Sequence, residues 1–124
     1  MPARSESLEM YLEDIYVLGQ EKQVVRPVDL AKKMGFSKPT ISEWMVKLRD
    51  QGYVEPDNGM GLVLTPAGLE IAKNVYERHV LLCNLFESLG VSPATAEEDA
   101  CRVEHYISDE TFNCMKAHYQ KFGA

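Results

Sequence analysis

Apolar side chains recur three and four residues apart over most of the chain, and this spacing predicts a mainly helical protein. The first such stretch predicts an amphipathic helix over roughly residues 7–20, with Ser5 or Ser7 as its N-cap. The apolar face of this helix consists of Leu8, Tyr11, Leu12 and Ile15.

A short helix, a turn and a second helix follow. Pro27 suits the first turn of a helix that runs to Met34, and Gly35 is a natural stop. Ser37 then caps the next helix, which ends at Gly52. This order predicts a helix-turn-helix motif.

The sequence pattern changes after this motif. Residues 53–55 and 62–65 are short runs typical of strands, and the Pro-Asp-Asn-Gly-Met-Gly sequence between them is rich in turn-forming residues. The pattern predicts a small β-hairpin, and a hairpin that directly follows a helix-turn-helix motif makes a winged helix.

Three further helices are predicted in the C-terminal half: from Pro66 to about Leu89, from Pro93 to about Ile107, and from Ser108 onward. The expected fold is mainly α, with a winged helix-turn-helix DNA-binding domain over residues 1–70 and a helical dimerisation and metal-binding domain over residues 71–124. Dimerisation is expected because the second half carries more apolar side chains than it can bury alone, namely Leu81, Leu85, Phe86, Phe112, Met115, Tyr119 and Phe122.

Charge is distributed unevenly along the chain. The whole chain carries a net charge of −6, yet the stretch from Lys22 to Arg49 has seven basic against two acidic side chains, a net charge of +5. A local basic stretch is typical of a DNA-binding surface, although a solvated helix face gives the same pattern. No apolar run approaches the roughly 20 residues that span a bilayer. The N-terminus also lacks the apolar stretch of a signal peptide, so we expect a cytoplasmic protein with no membrane partner. The three cysteines are an odd number and form no C-x-x-C pair, so we expect reduced thiols.

The third predicted helix is the candidate recognition helix, because its apolar residues share an inner face and leave the outer face polar. Hydroxyl groups, lysines and backbone N–H groups at a helix start hold phosphates. Glu43 is the candidate base reader, since a carboxylate accepts from cytosine N4; an ordinary surface residue is the alternative. The candidate DNA-binding residues are Arg26, Ser37, Lys38, Pro39, Thr40, Ser42, Glu43 and Lys47.

The strongest candidate chemistry lies at Cys101, Glu104 and His105. Positions i, i+3 and i+4 of a helix share a face, so these residues offer a thiolate, a carboxylate and an imidazole within one turn, which suits a transition metal. The alternative is a buried cysteine beside a surface Glu-His pair. Met10 lies opposite the apolar face of the first helix, where either an isolated exposed methionine or a thioether ligand is expected.

His79 and Cys83 form a second pair four residues apart, on the long helix. Apolar residues around His79 follow a three–four rhythm, which favours an interior histidine held by hydrogen bonds over a metal ligand. Glu97 lies in the first turns of the helix that carries Cys101, where compensation of the helix dipole is a sufficient explanation for a carboxylate.

Several stretches, in this order, resemble the diphtheria-toxin-repressor family of metal-dependent transcriptional regulators. They are Glu-Met-Tyr-Leu-Glu-Asp-Ile-Tyr at 9–16, Ser-Lys-Pro-Thr-Ile-Ser at 37–42, Leu-Thr-Pro-Ala-Gly at 64–68 and Asp-Ala-Cys-Arg-Val-Glu-His at 99–105, followed by Ser-Asp-Glu at 108–110. The resemblance implies a homodimer that binds a palindromic operator in double-stranded DNA when a divalent metal is bound. Many iron-type members also carry a third, SH3-like domain after the dimerisation helices.

The resemblance also implies two sets of metal ligands. The activating site of the iron-type branch corresponds to Met10, Cys101, Glu104 and His105. The manganese-type branch has acidic residues at the first two of these positions, and Glu13 matches one of its carboxylate ligands. An ancillary site corresponds to His79, Cys83 and Glu97, where the iron-type pattern has Glu in place of Cys83 and His in place of Glu97.

The sequence therefore predicts a metal-dependent repressor and not an enzyme. A thioether and a thiolate disfavour Mg²⁺ and Ca²⁺ and permit Fe²⁺, Co²⁺, Ni²⁺ and Zn²⁺. The resemblance to the iron-type branch implies Fe²⁺, with Mn²⁺, Co²⁺, Ni²⁺ or Zn²⁺ as alternatives. The alternative function is a metal-independent winged-helix regulator that senses a small molecule or an oxidant through its cysteines. A small metalloenzyme is the least favoured interpretation, because no second catalytic cluster accompanies the metal donors.

Overall fold

The computed structural model describes residues 5–122, and within this range the chain forms six helices. They are α1 (Glu6–Glu21), α2 (Pro27–Met34), α3 (Lys38–Asp50), α4 (Pro66–Ser88), α5 (Pro93–Val103) and α6 (Asp109–Phe122). The prediction of a mainly helical protein is confirmed. The chain divides into two compact units, one up to Lys73 and one from Asn74 onward. Within the described range, no helix has the length and apolar character needed to cross a membrane.

The helices of the first unit begin and end where local chemistry favours it. Ser5 caps α1 by accepting from the backbone N–H of Leu8, and Ser37 caps α3 by accepting from that of Thr40. Gly35 ends α2 with a φ of 72°, in the left-handed region that glycine adopts without strain. The fully buried side chains of α1, α2 and α3 include Leu12, Leu30, Ile41 and Leu48.

The predicted β-hairpin has only one antiparallel bridge within the described residues, between Val54 and Leu64. The two longer strands that the sequence predicts are therefore not confirmed. Around this bridge Glu55 donates its N–H to the carbonyl oxygen of Val63 at 2.8 Å, and Thr65 donates to that of Tyr53 at 3.0 Å. The N–H of Leu62 points to the other side and donates to the carbonyl oxygen of Val25 at 2.7 Å.

Gly68, in the first turn of α4, lies against the backbone of Tyr53. An ideal Cβ at residue 68 would lie 2.1 Å from the carbonyl oxygen of Tyr53. We expect Gly68→Ala to lower the free energy of unfolding by about 1–3 kcal/mol or more, as overpacking does. Denaturant unfolding measures this change.

Gly19→Ala in α1 is the matched control for this prediction. Nothing lies within 4 Å of the Cβ position of Gly19, and alanine in a helix is more stable than glycine by about 0.5–1 kcal/mol. If Gly68→Ala unfolded at the same denaturant concentration as the unsubstituted chain, the close contact with Tyr53 would be contradicted.

In the second unit, α5 is shorter than predicted. The sequence predicts a helix to about Ile107, but α5 ends at Val103 with Glu104 as its C-cap. Arg78 on α4 gives a physical reason, because its guanidinium donates to the carbonyl oxygens of Glu104 (3.4 Å) and Ile107 (2.5 Å) and pairs with Asp109. The turn over residues 104–107 is therefore held by a side chain from α4.

Candidate metal centre

A cluster of metal donors joins His79 on α4, Cys101 in the last turn of α5 and Glu104 at its C-cap. Nδ1 of His79 lies 3.1 Å from Oε1 of Glu104 and 3.9 Å from Sγ of Cys101. One donor atom from each of the three residues lies within 4.8 Å of the other two. An imidazole, a thiolate and a carboxylate together form a donor set that suits a transition metal.

Glu104 is a charged residue in a buried position. Its side chain is 1% exposed, and Oε1 faces His79. Oε2 is buried and has no hydrogen-bond partner among the described residues. A buried carboxylate oxygen without a partner is costly, and a directly bound cation would satisfy it. The residues present therefore fit a divalent metal ion.

The environment of His79 is strongly negative. The Cys101 sulfur and then the Glu104 carboxylate, both beside Nδ1, raise the pKa of His79 to about 12, although partial burial acts in the opposite direction. An unperturbed imidazole has a pKa of about 6.5. At neutral pH the ring therefore carries a proton on both nitrogens. A site that holds a proton this tightly also favours a metal cation, whose binding would release protons.

A second donor set lies at the other nitrogen of the same ring. Nε2 of His79 lies 3.1 Å from Oε2 of Glu97 and 3.6 Å from Sγ of Cys83. The Cys83 thiol donates to the same Glu97 oxygen at 3.6 Å. Burial is the main cause that raises the pKa of Cys83 to about 11, so this sulfur stays protonated at neutral pH. The Glu97 side chain is 62% exposed and that of Glu104 is 1% exposed, whereas Cys83 is half-buried and Cys101 is exposed.

The structure groups the predicted ligands differently from the sequence prediction. Cys101 and Glu104 lie together as expected, and the imidazole that lies within 4.8 Å of both is that of His79, which the resemblance assigns to the ancillary set. His105 lies in the turn after α5 and not on the helix itself. One of its ring nitrogens is still within 4.8 Å of a Glu104 oxygen.

Met10 and Glu13 lie on α1 in the first unit. The side chain of Met10 is half-buried and that of Glu13 is buried. Half-burial of Met10 does not decide between the isolated methionine and the thioether ligand that the sequence offers. The contribution of Met10 and Glu13 to a metal site stays a prediction.

The predicted recognition helix has the expected inner and outer faces. Ile41, Met45 and Leu48 are buried, and Trp44 is half-buried and stacks on Tyr11 with 4.8 Å between ring centroids. The predicted DNA-binding residues are exposed except for the half-buried Thr40; the exposed ones are Arg26, Ser37, Lys38, Pro39, Ser42, Glu43 and Lys47.

A cleft of about 520 Å³ lies beside this helix and reaches the loop after Pro56, where Asp57 lines it, and Val28 and Ile41 form part of its apolar lining. Arg26, Lys38 and Ser42 line it. Outside the cleft, the Lys47 ammonium lies 4.6 Å from the centroid of the Trp44 ring, a cation–π contact that restricts its position. Cationic and hydroxyl groups of this kind suit contacts with the phosphate backbone of DNA.

Both halves of the chain match known regulators. Residues 4–62 match the family model of the iron-dependent repressor N-terminal DNA-binding domain, and residues 65–123 match that of the iron-dependent repressor metal-binding and dimerisation domain. The transcriptional regulator MntR of Escherichia coli O6:H1 is 36% identical over 121 residues, which cover 98% of this chain and 78% of that protein. An uncharacterised HTH-type transcriptional regulator of Methanocaldococcus jannaschii is 35% identical, with 95% of this chain and 96% of that protein covered.

Solved structures with a similar fold include two manganese regulators. The manganese regulator SloR has a TM-score of 0.79 and 28% identity, over 97% of this chain and 55% of that chain. A manganese-dependent transcriptional repressor in complex with manganese has a TM-score of 0.79 and 32% identity, over 90% of this chain and 51% of that chain. The chain thus spans about half the length of these two solved proteins.

Proposed function

Because the chain belongs to the iron-dependent repressor (diphtheria-toxin-repressor) family, we propose that it represses transcription by binding a palindromic operator as a homodimer when divalent metal is bound. Members of this family are transcription regulators and not enzymes. We expect the protein in the cytoplasm, where bacterial and archaeal DNA lies.

The buried Glu104 carboxylate is the observation that supports metal dependence most strongly. Its unpartnered Oε2 and the adjacent His79 and Cys101 form a site that needs a cation and offers suitable ligands. His79, Cys101 and Glu104 would hold the ion, and the family resemblance adds His105, Met10 and Glu13. When bound, the ion supplies two positive charges and connects side chains that lie on different elements.

Metal and DNA binding are proposed to be thermodynamically linked. The chain carries a net charge of −6, so a bound cation lowers its repulsion from DNA. Salt screens such repulsion beyond about 8–10 Å, so we assign the larger part of the effect to a DNA-competent state that metal stabilises. Linkage then requires DNA to strengthen metal binding by the same factor.

The proposed metal is Fe²⁺. Thiolate and imidazole ligands suit iron and zinc, whereas all-oxygen sites suit Mn²⁺, and Cys101 is the donor that distinguishes the two cases. The two solved relatives described above are manganese regulators. The operator selection described below compares the two ions directly.

On the DNA side, Arg26, Lys38 and Ser42 in the cleft and Lys47 on α3 are proposed to contact phosphates. Glu43, which is exposed on the same helix, is the proposed base reader. Ser37 and Thr40 hydrogen-bond to each other at the start of α3, and Thr40 donates its N–H to the Ser37 hydroxyl. Contact with DNA at this helix start is therefore proposed through these hydroxyl groups and Pro39.

The homodimer is proposed to form through the second unit. Several apolar side chains there remain exposed, among them Leu89, Tyr106 and Phe122. Such residues are expected at a protein–protein interface. The family model that matches this half is described as a dimerisation domain.

Selection from a duplex pool with about 20 randomised base pairs, enough for two half-sites, tests the proposed function. The full chain is incubated with anaerobic Fe²⁺, with Mn²⁺, with Zn²⁺ or with EDTA. We expect a two-fold symmetric sequence to be enriched with metal and not with EDTA. Equal enrichment with EDTA would contradict the proposal and support the metal-independent regulator.

Lys38→Ala and Lys47→Ala are expected to weaken binding to every duplex, because phosphate contacts are blind to sequence. Each should reduce the slope of log affinity against log salt by about 1. Fluorescence anisotropy of the selected duplex and of a scrambled duplex, over a salt series, measures both effects.

Two further variants sharpen this prediction. Glu43→Gln is expected to change the ranking of operator variants, and Lys121→Ala on α6 should change neither ranking nor slope. An unchanged salt slope for both Lys38→Ala and Lys47→Ala would remove these lysines from the interface.

A further inference from the structure

Arg78 on α4 binds the backbone of the turn that follows α5. Its guanidinium donates to the carbonyl oxygens of Glu104 (3.4 Å) and Ile107 (2.5 Å). It also pairs with the carboxylate of Asp109 at the start of α6 and lies 5.4 Å from the centroid of the Phe112 ring. The side chain of Arg78 is only 16% exposed. A single arginine on α4 therefore joins this helix to the turn and to α6.

The contacts of Arg78 depend on the shape of the guanidinium group. Carbonyl groups at the end of a helix have no partner within the helix, and α5 ends at Val103, just before the turn. A planar guanidinium presents several N–H groups in a fixed fork, so it reaches two carbonyl oxygens and a carboxylate together. A lysine ammonium carries the same charge but lacks this fork.

The residue next to Arg78 contacts the same glutamate through its side chain. Nδ1 of His79 lies 3.1 Å from Oε1 of Glu104, while Arg78 binds the main-chain carbonyl of Glu104. Two consecutive residues of α4 thus hold one residue by its side chain and by its backbone. The other carboxylate oxygen of Glu104 is buried without a hydrogen-bond partner among the described residues, and its position depends on where the turn is held.

We propose that Arg78 is a positioning residue for the metal centre, which holds the turn over residues 104–107 so that Glu104 and His105 are in place before the ion binds. This inference rests on the proposed function and deepens it. Arg78 is a cation and not a ligand, so it acts through the backbone of the turn. Without the guanidinium, these side chains would have to be ordered when the ion binds, and this ordering lowers affinity.

Anaerobic Co²⁺ calorimetry of the full chain and of its Arg78→Lys variant tests this inference. Lysine keeps the positive charge near the site, so a loss of affinity reports the loss of the fork. We expect Arg78→Lys to bind Co²⁺ about 10–100-fold more weakly, the usual cost of losing an outer-shell partner, with the number of bound ions unchanged. Asp109→Asn should lower the affinity less, because the guanidinium keeps both carbonyl contacts.

Amide hydrogen exchange of the metal-free chain gives a second readout. The N–H groups of Tyr106 and Ile107 donate to the carbonyl oxygen of Val103 at 3.0 and 3.2 Å, so their exchange rates report the opening of the turn. We expect both to exchange faster in Arg78→Lys, while amides in the middle of α4 keep their rates. A general loss of stability would accelerate exchange in α4 as well.

Glu77→Gln is the matched control. Glu77 precedes Arg78 on α4 and pairs with Lys116 on α6 at 2.5 Å, so the substitution breaks another link between the same two helices. It also removes the same charge as Asp109→Asn. Glu77→Gln should leave both the Co²⁺ affinity and the exchange of the turn unchanged.

The outcomes separate this inference from the proposed function. If Arg78→Lys binds Co²⁺ as tightly as the unsubstituted chain, or if Glu77→Gln weakens binding as much as Arg78→Lys does, the inference is overturned while the proposed function stands. If Arg78→Lys does not fold by circular dichroism, Asp109→Asn decides, and affinity and turn exchange equal to those of Glu77→Gln overturn the inference. If the unsubstituted chain binds no Co²⁺, the proposed function fails, and this inference fails with it.

Discussion

Replacing Glu104 by glutamine is expected to lower Fe²⁺ or Co²⁺ affinity by more than about 100-fold, beyond the roughly 10–100-fold range for outer-shell partners. Glutamine keeps the shape of the side chain but removes the charge that a buried cation needs. The unpartnered Oε2 of Glu104 and the 3.1 Å contact with His79 place this carboxylate at the centre of the site. Anaerobic calorimetry measures the affinity.

Glu87→Gln is the control for this prediction, because Glu87 is exposed on α4 and the substitution changes the net charge equally. It should bind metal like the unsubstituted chain. Metal affinity that is equal in Glu104→Gln and in the unsubstituted chain, with both folded by circular dichroism, would remove Glu104 from the site.

Replacing Cys101 by glutamate and Met10 by aspartate is expected to change metal selectivity. The ratio of Mn²⁺ to Co²⁺ affinity should rise by at least about tenfold, equivalent to about 1.4 kcal/mol. Oxygen donors suit Mn²⁺, whereas the sulfur donors that they replace favour Fe²⁺, Co²⁺ and Zn²⁺. Competition titrations of the two ions measure the ratio. The single Cys101→Glu variant shows how much of the change comes from the second unit alone.

Cys114→Glu is the matched control for this change of selectivity. Cys114 is an exposed free cysteine on α6, so the substitution alters the charge without altering the proposed ligands. It should leave the selectivity unchanged. If the double variant keeps the Mn²⁺ to Co²⁺ ratio of the unsubstituted chain, neither Cys101 nor Met10 selects the metal.

The helix-turn-helix could be predicted from sequence because its signals are local. Ser5, Gly35 and Ser37 act through backbone groups a few residues away, and these interactions fix where α1, α2 and α3 begin or end. The pairing after α3 was harder to predict, because it depends on bonds between residues far apart in the chain: Thr65 donates to Tyr53, and Leu62 donates to Val25. The composition of the turn does not reveal these partners.

The metal centre could be predicted only in part. The spacing of Cys101 and Glu104 reveals that they share a side of one turn, but His79 reaches them through the packing of α4 and α5. A short connection favours antiparallel packing of consecutive helices. His79 lies nine residues before the end of α4 and Cys101 eight residues after the start of α5, so these positions should have suggested that they meet.

The early end of α5 could not be predicted from helical periodicity. The residues from Glu104 to Ile107 have no strong helix breaker, and the turn depends on Arg78, which lies 26 residues before Glu104 in the chain. A guanidinium that binds two backbone carbonyls offers them an alternative to the helical ladder. Its effect is visible only once α4 and the turn are placed together.

Reciprocal linkage tests the central claim most directly. Fluorescence anisotropy gives the affinity of the full chain for its selected duplex in EDTA and in saturating Fe²⁺, and an Fe²⁺ titration with and without that duplex gives the converse. Metal is expected to tighten DNA binding by a factor within the roughly 5–150-fold range of typical couplings, and DNA to tighten metal binding by the same factor. Equal DNA affinity in EDTA and in saturating Fe²⁺, Mn²⁺ or Zn²⁺ would contradict a metal-dependent repressor.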